Sequence, residues 1–435
     1  MSHATGANPR KRVPQSIDTA GVLAVQKRSI ATLSAAQAFG GIAVAGSMPA
    51  GALLAASLTD SEAFAGLAQT AGVLGAAIFA LPLARIALTK GRRPALATGY
   101  GLGILGTIFV IGGAVSRQVG LVLIGSLFVG VASAASLQAR YAATDLALPE
   151  HRARSLSYVV WAATIGAVLG PNLLNFSGSV AMSLGLPQLS GAYVIAGISL
   201  TLAVAVLVVA LRPDPFILAR QVRQAADPGT KIPHPKLRDG IEHLRTRPRA
   251  VLGIGAISIG HVVMIMVMVM TPVHMAHVDV TLQLIGLVIS VHVAGMYAFS
   301  PLVGSAVDRF GRVPMIIAGA MILAASCVIS GLAPADNVVI LGIGLFLLGL
   351  GWSFTLIAGS TLVTDSVEAN ERPSVQGLSD LSMNAAGALG GVAAGIIMWW
   401  GGYLWLCALA TLPLVALVIW TSLPACREPS NARSI

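Results

Sequence analysis

Carboxylates are scarce in this sequence: 17 Asp and Glu stand among 435 residues, and charged side chains of both signs make up only 10%. A soluble globular domain carries roughly 25%. The deficit suits a chain that lives largely in hydrocarbon, where each ionised group costs several kcal/mol. Cysteines number three, Cys327, Cys407 and Cys426, with neither a zinc-type spacing nor a disulfide framework. No GxxxxGK[ST] stretch occurs, so nothing resembles an ATP-hydrolysing phosphate loop. The first 28 residues are polar and basic, without the apolar run and cleavage site of a signal peptide. The first hydrophobic segment is therefore expected to stay in the mature protein. No nucleophile–base pair stands out, so an enzyme is not expected and no cofactor is called for.

Apolar length is what the chain has instead. Hydrophobic residues make up 56%, and 48 glycines suit helices that meet closely in a membrane. A spanning helix needs about 20 predominantly apolar residues. Such stretches lie near 30–56, 63–86, 94–115, 119–140, 155–178 and 190–211, and again near 250–273, 283–305, 313–332, 337–360, 375–399 and 401–423. This predicts an all-α membrane protein of twelve transmembrane helices. Its expected plan is a basic N-tail (1–29), a six-helix half (30–211), a linker (212–249), a second half (250–423) and a C-tail (424–435).

The net charge of +10 would also suit nucleic acid. The placement of the charges argues otherwise. With both tails and the linker in the cytoplasm, 26 of the 27 Lys and Arg fall on that side, leaving Arg117 alone outside. That is the positive-inside pattern, and it points to a bacterial inner (plasma) membrane. The linker holds Pro213, Pro215, Pro228, Pro233, Pro235 and Pro248, with room for a short amphipathic helix around 217–222. Its basic residues fit anionic lipid headgroups.

The chain is internally duplicated. A shift of 220 residues lays Gly91-Arg92 on Gly311-Arg312, Thr144-Asp145 on Thr364-Asp365, Arg152 on Arg372 and Gly170 on Gly390. Two parallel six-helix repeats are the plan of the major facilitator superfamily. The loop Gly304-Ser-Ala-Val-Asp308-Arg309-Phe-Gly311-Arg312 resembles that family's signature GxxxDRxGR. Its Asp and Arg can pair with neighbouring helix ends and latch one conformation. The copy after helix 2 keeps Arg92 but has Leu88 in place of the acid, which leaves its latch incomplete. In helix 5, Gly166-xxx-Gly170-Pro171 resembles the GxxxGP element of many antiporters, with Leu174 and Asn175 where glycines are usual. The same residues equally make a small-residue contact face with a proline kink. The resemblance implies alternating access, in which two halves rock about a midplane site.

Helix 7 carries His261, Met264, Met266, Met268 and Met270, and helix 8 carries His292-xxx-Met296. Helical spacing puts His261, Met264 and Met268 on one face and sends Met266 and Met270, read as filler, the other way. Met264 and His292 lie roughly 13 Å from the outer ends, and His261 and Met296 roughly 18–20 Å. Two antiparallel helices at those depths can join thioether and imidazole groups, a donor set for Cu(I). Under the 220 shift His292 falls on Gly72, Met296 on Ala76 and Met264 on Val44, so the cluster is special to the second half. His274, Met275 and His277 near the outer end offer a weaker first contact, or simply an interfacial cluster.

Met264-xxx-Met268 and His292-xxx-Met296 also resemble the paired motifs of CcoA-like bacterial copper importers, a branch of the same superfamily. The resemblance implies a metal site of these four residues, with copper as substrate; His261 is added from its face alone. The alternative is a small organic solute, by riboflavin-like import or drug efflux. No acid lies near the middle of a span, Asp380 being the deepest. A proton as coupling ion would then fall to His261 or His292. Gln37, Asn172, Asn175 and Asn384 are expected either to line the cavity or to bond between helices. The expected partners are the bilayer and a small-molecule or metal-ion substrate.

Overall fold

The computed structural model describes residues 19–59, 62–226, 242–276, 278 and 280–424. Among these the chain is helical throughout, with α1 (Thr19–Thr59), α2 (Glu62–Lys90), α3 (Arg92–Ser116), α4 (Val119–Ala142), α5 (Arg152–Asn172), α6 (Leu174–Ser183) and α7 (Gly191–Ala210) in the first half. The helix α8 (Pro215–Ala226) follows in the linker. The second half holds α9 (Pro248–Ala276), α10 (Leu282–Tyr297), α11 (Ser300–Phe310), α12 (Arg312–Leu332), α13 (Val338–Ser366) and α14 (Arg372–Thr421).

These helices make twelve spans. The fifth is α5 and α6 together, interrupted at Leu173, two residues after Pro171. The eighth is α10 and α11, separated by Ala298 and Phe299. At 50 residues α14 would be about 75 Å long, far more than the ~40–45 Å of a bilayer with its headgroups. Gly402, at φ 73° and ψ −172°, breaks it into the eleventh and twelfth spans. A side chain is rarely tolerated at that backbone geometry.

The duplication is visible in the turns. Gly91 at φ 98° is the single residue between α2 and α3, and Gly311 at φ 95° is the single residue between α11 and α12. Each is a one-residue turn at the basic end of the molecule, which only glycine makes without strain. α1 begins at Thr19, well before the expected start at 30. One reason is that Gln26 is buried there and donates from Nε2 to the Ala143 carbonyl at 2.7 Å, tying the helix extension to the end of α4.

In the first half α1 packs on α5 and α7, and α4 on α2 and α3. In the second half α13 is central, with α9, α10 and α12 laid against it. That arrangement corrects one expectation. Helices 7 and 8 do not lie face to face; helix 7 packs on α14 and α13, and helix 8 chiefly on α13. Close backbone approach makes this possible, because a Cβ on Gly253 would stand 2.8 Å from the Gly359 carbonyl oxygen, and one on Gly349 2.7 Å from the Met296 nitrogen.

Candidate functional site

The two halves are tied at their basic ends, and the ties repeat the duplication. In the first half Arg92 Nε donates to Asp145 Oδ2 at 2.8 Å; in the second Arg312 Nε donates to Asp365 Oδ2 at the same distance. Each arginine then reaches across. Arg92 Nη2 donates to Gln376 Oε1 at 2.6 Å, and Arg312 Nη2 to the Pro149 carbonyl at 2.7 Å. Arg152 of the first half pairs with Asp365 of the second. Asp308 accepts from the backbone N–H of Ala153 (3.1 Å) and Arg154 (2.9 Å) at the start of α5. A Cβ on Gly304 would lie 2.8 Å from the Ala153 carbonyl oxygen, so the first glycine of the signature lets α11 meet α5.

Two expectations about this latch change. Arg309 does not join it; its side chain is exposed and lies over the Phe310 ring at 5.2 Å. The first-half copy, expected to be incomplete, is closed through Arg92. Leu88 is buried where Asp308 has its mate. The position equivalent to Ala153 is Pro373, which has no N–H to give. The lost acid thus goes with the loss of one of the two donors that Asp308 uses. Asp214 of the linker accepts instead from the Arg93 N–H at 2.7 Å. Phe216 of α8 is buried beneath the Arg92 guanidinium.

Gly166 and Gly170 resolve into a contact seam. A Cβ on Gly41 would lie 3.1 Å from the Gly166 Cα, and one on Gly46 3.2 Å from the Gly170 oxygen. These glycines bring α1 and α5 together backbone to backbone, with Pro171 at the seam's end.

Between the halves lies a cavity of about 470 Å³. Its floor is Arg140, near the basic end of α4, and its wall rises past Ser126 to Ala52 and Gln69, near the far ends of α1 and α2. The 14 residues from Arg140 to Ser126 span roughly 21 Å. The first half contributes mostly small residues and hydroxyls, among them Gly41, Gly72, Ser133 and Ser136, with Gln37. The second half contributes Met264, Met268, Met296, Met383, His261 and Trp352, with Tyr297 beside them.

Three of the four motif residues, Met264, Met268 and Met296, therefore share this wall with His261. His292 does not. It is fully buried, and its Nδ1 stands 2.8 Å from the Leu345 carbonyl of α13. A carbonyl only accepts, so Nδ1 carries the proton and Nε2 presents a lone pair, for which the surrounding side chains offer no hydrogen bond. His261 has the opposite tautomer. The Trp352 indole N–H donates to its Nδ1 at 3.1 Å, which leaves the neutral ring's proton on Nε2. Trp352 also meets Tyr297 edge to face at 5.8 Å, so the three rings form one panel.

Met266 and Met275 sit in the second-half core. Met270 packs against that core. His274 stacks on Tyr403 at 4.3 Å and is absent from the cavity wall. His277 lies outside the described residues. Gln37 and Asn384 line the cavity, whereas Asn172 donates to its own helix at Val168. Sequence reasoning missed Arg140, Trp352, Tyr297 and Met383.

The comparisons with known proteins agree with this geometry. The family model of the Major Facilitator Superfamily matches residues 33–282 and 254–434. The chain belongs to the Major Facilitator Superfamily. Over 399 residues it is 38% identical to the uncharacterized MFS-type transporter YdeG of Bacillus subtilis, covering 91% of this chain and 92% of that one. It is 29% identical over 350 residues to the riboflavin transporter RfnT of Brucella anthropi, covering 80% and 82%. Among solved structures it is similar to the proton:xylose symporter XylE, with a TM-score of 0.68 at 15% identity over 91% of this chain and 96% of that one. The E. coli fucose:proton symporter FucP gives 0.63 at 17% identity, covering 90% and 97%. As a multi-pass membrane protein with a cavity between two halves, the chain is a secondary transporter of a small solute.

Proposed function

We propose that the cargo is a small organic solute with a planar, largely apolar body, taken up toward the cytoplasm by alternating access. The cavity carries this reading. Its volume falls in the range of about 300–1,000 Å³ typical of pockets for drug-sized ligands. One wall is thioether and aromatic, suited to a flat ring; the other offers Gln37 and serine hydroxyls to fix orientation. The similarity to a riboflavin transporter supports the same class. With the basic ends in the cytoplasm, as the positive-inside pattern assigns them, the ties between the halves close the inner side. The cavity is then in the state that receives cargo from outside. The coupling ion in this reading is a proton, and Asp380 beneath the cavity is the acid placed to carry it.

A second reading, copper, has one observation in its favour: three motif methionines and His261 share the cavity wall. Soft Cu(I) takes such donors, but a bare ion fills little of this volume, and His292 faces α13. Uptake into proteoliposomes decides between them. Tritiated riboflavin, tritiated 2-naphthoate and Cu(I) are offered in parallel. Entry of either organic solute above empty vesicles, with no copper entry, is the expected result. Copper entry alone overturns the proposal.

A further inference from the structure

Beneath the cavity lies a charge pair unlike the other ties. Arg140 Nη2 donates to Asp380 Oδ1 at 2.7 Å, joining α4 of the first half to α14 of the second. Both side chains are buried, at 3% and 1% exposure. Under the 220 shift Arg140 falls on Ser360 and Asp380 on Val160. Arg92–Asp145 and Arg312–Asp365 are mates of each other, but this pair has none.

The pair is also incompletely made. A guanidinium is a planar fork that matches a carboxylate through two parallel bonds. Here it holds Asp380 by one. Arg140 Nε and Nη1 are buried without a hydrogen-bond partner, and so is Asp380 Oδ2. The Tyr141 ring lies 4.7 Å from the guanidinium carbon, and the Tyr141 hydroxyl donates across the halves to Ser379 at 3.2 Å. Arg140 is at the same time a lining residue of the cavity, with Tyr297 and His261. Burying charged donors unmet is costly, so a ligand group that meets them gains that cost back.

We infer that Arg140 anchors an anionic group of the cargo, a carboxylate, and that this occupancy weakens the tie to Asp380. The inference rests on the organic-solute reading and narrows it. A carboxylate arriving from the cavity meets one of the two open donors, Nε or Nη1, on the side of the guanidinium that Asp380 leaves free. Two carboxylates then share one guanidinium and repel each other. The α4–α14 tie is loosened when the cavity is loaded, so the inner seal gives way behind a bound cargo.

The test uses the full chain in lipid nanodiscs and two tritiated probes of one shape, 2-naphthoate and 2-naphthamide, with empty nanodiscs subtracted. Wild type binds the acid roughly tenfold more tightly than the amide, the scale of one charge-assisted contact in a dry site. Arg140→Gln brings the two probes level. Asp380→Asn, which removes the competitor and keeps the anchor, tightens the acid several-fold and leaves the amide unchanged; a merely structural pair would weaken both. If Arg140→Gln fails to fold, the neutral double variant Arg140→Gln/Asp380→Asn takes its place and must also bring the probes level. Equal binding by wild type overturns the anchor and leaves the organic-solute reading standing. A preference surviving in either arginine variant, or weaker acid binding in Asp380→Asn, overturns the anchor too. If wild type binds neither probe, the organic-solute reading falls with it.

Discussion

The two walls of the cavity are built on the same repeat and have diverged in size. Under the 220 shift His261 falls on Gly41, Met264 on Val44, Met296 on Ala76 and Met383 on Ala163, and all eight positions line the cavity. Trp352 falls on Ala132. The first half keeps its wall small where Gly41 meets Gly166 backbone to backbone. The second half places its helices around α13 and sends large side chains inward. Room and polar anchoring therefore come from one half, and the bulky surface for a flat ring from the other. The ties at the basic end show the contrary pattern: Arg92–Asp145 and Arg312–Asp365 were kept in duplicate, as expected of parts that serve the rocking motion common to both halves.

The largest effect should come from breaking the duplicated ties, and the two copies should not be equal. Arg92 and Asp145 are 1% and 2% exposed, whereas Arg312 and Asp365 are 14% and 23% exposed. Asp145→Asn leaves a buried guanidinium without its counter-charge, a loss of about 3–5 kcal/mol. Asp365→Asn should cost about 1 kcal/mol. It releases both Arg152 and Arg312, however, and so favours opening of the inner seal. Thermal unfolding in detergent measures the first difference, and labelling of an introduced cysteine at the inner end measures the second. Equal stability losses would show that burial does not separate the copies.

Much of this was legible in the sequence, for identifiable reasons. Span number follows from the length of apolar runs, and the 220 shift found the ties because turn glycines and buried arginines allow few substitutes. Helix-face arithmetic correctly grouped His261, Met264 and Met268. It misjudged His292, because which neighbour a face meets depends on where backbones approach, and Gly349 draws α10 onto α13. Leu88 suggested a missing latch, since the sequence does not show that Pro373 is its counterpart across the interface. Arg140 reads as one more cytoplasmic charge, and Asp380 as the deepest acid but with no partner named for it. The signal that could have marked them was the same shift, under which both have neutral mates.

A sharper test of the walls compares one large side chain with one small one. Trp352→Ala removes the panel's central ring and the hydrogen bond that fixes the His261 tautomer. Base-sized ring stacking is worth about 1–3 kcal/mol by such truncations, so uptake of the organic probe at low concentration should fall by tenfold or more. Ser133→Ala on the facing wall removes one hydroxyl among several on that wall and should change uptake less than about twofold. Initial rates across probe concentrations separate a change in KM from one in kcat; the tryptophan effect belongs in KM. Comparable losses from both substitutions would mean that recognition is shared evenly between the halves.

The smallest effect is expected where the two readings of the second-half wall differ most. Leu is close to Met in volume, and such swaps usually cost under about 1.5 kcal/mol. The triple variant Met264→Leu/Met268→Leu/Met296→Leu keeps the wall apolar and about equally bulky while deleting every motif sulfur from it. If these residues serve as a surface for a flat ring, uptake of the organic probe should change by less than about threefold, because dispersion contacts survive the exchange. If they serve as ligands, nothing in Leu replaces a thioether lone pair, and metal-dependent uptake should vanish. One variant thus measures whether the divergence of this wall from its small-residue mates supplied shape or donors, and the cavity's volume argues for shape.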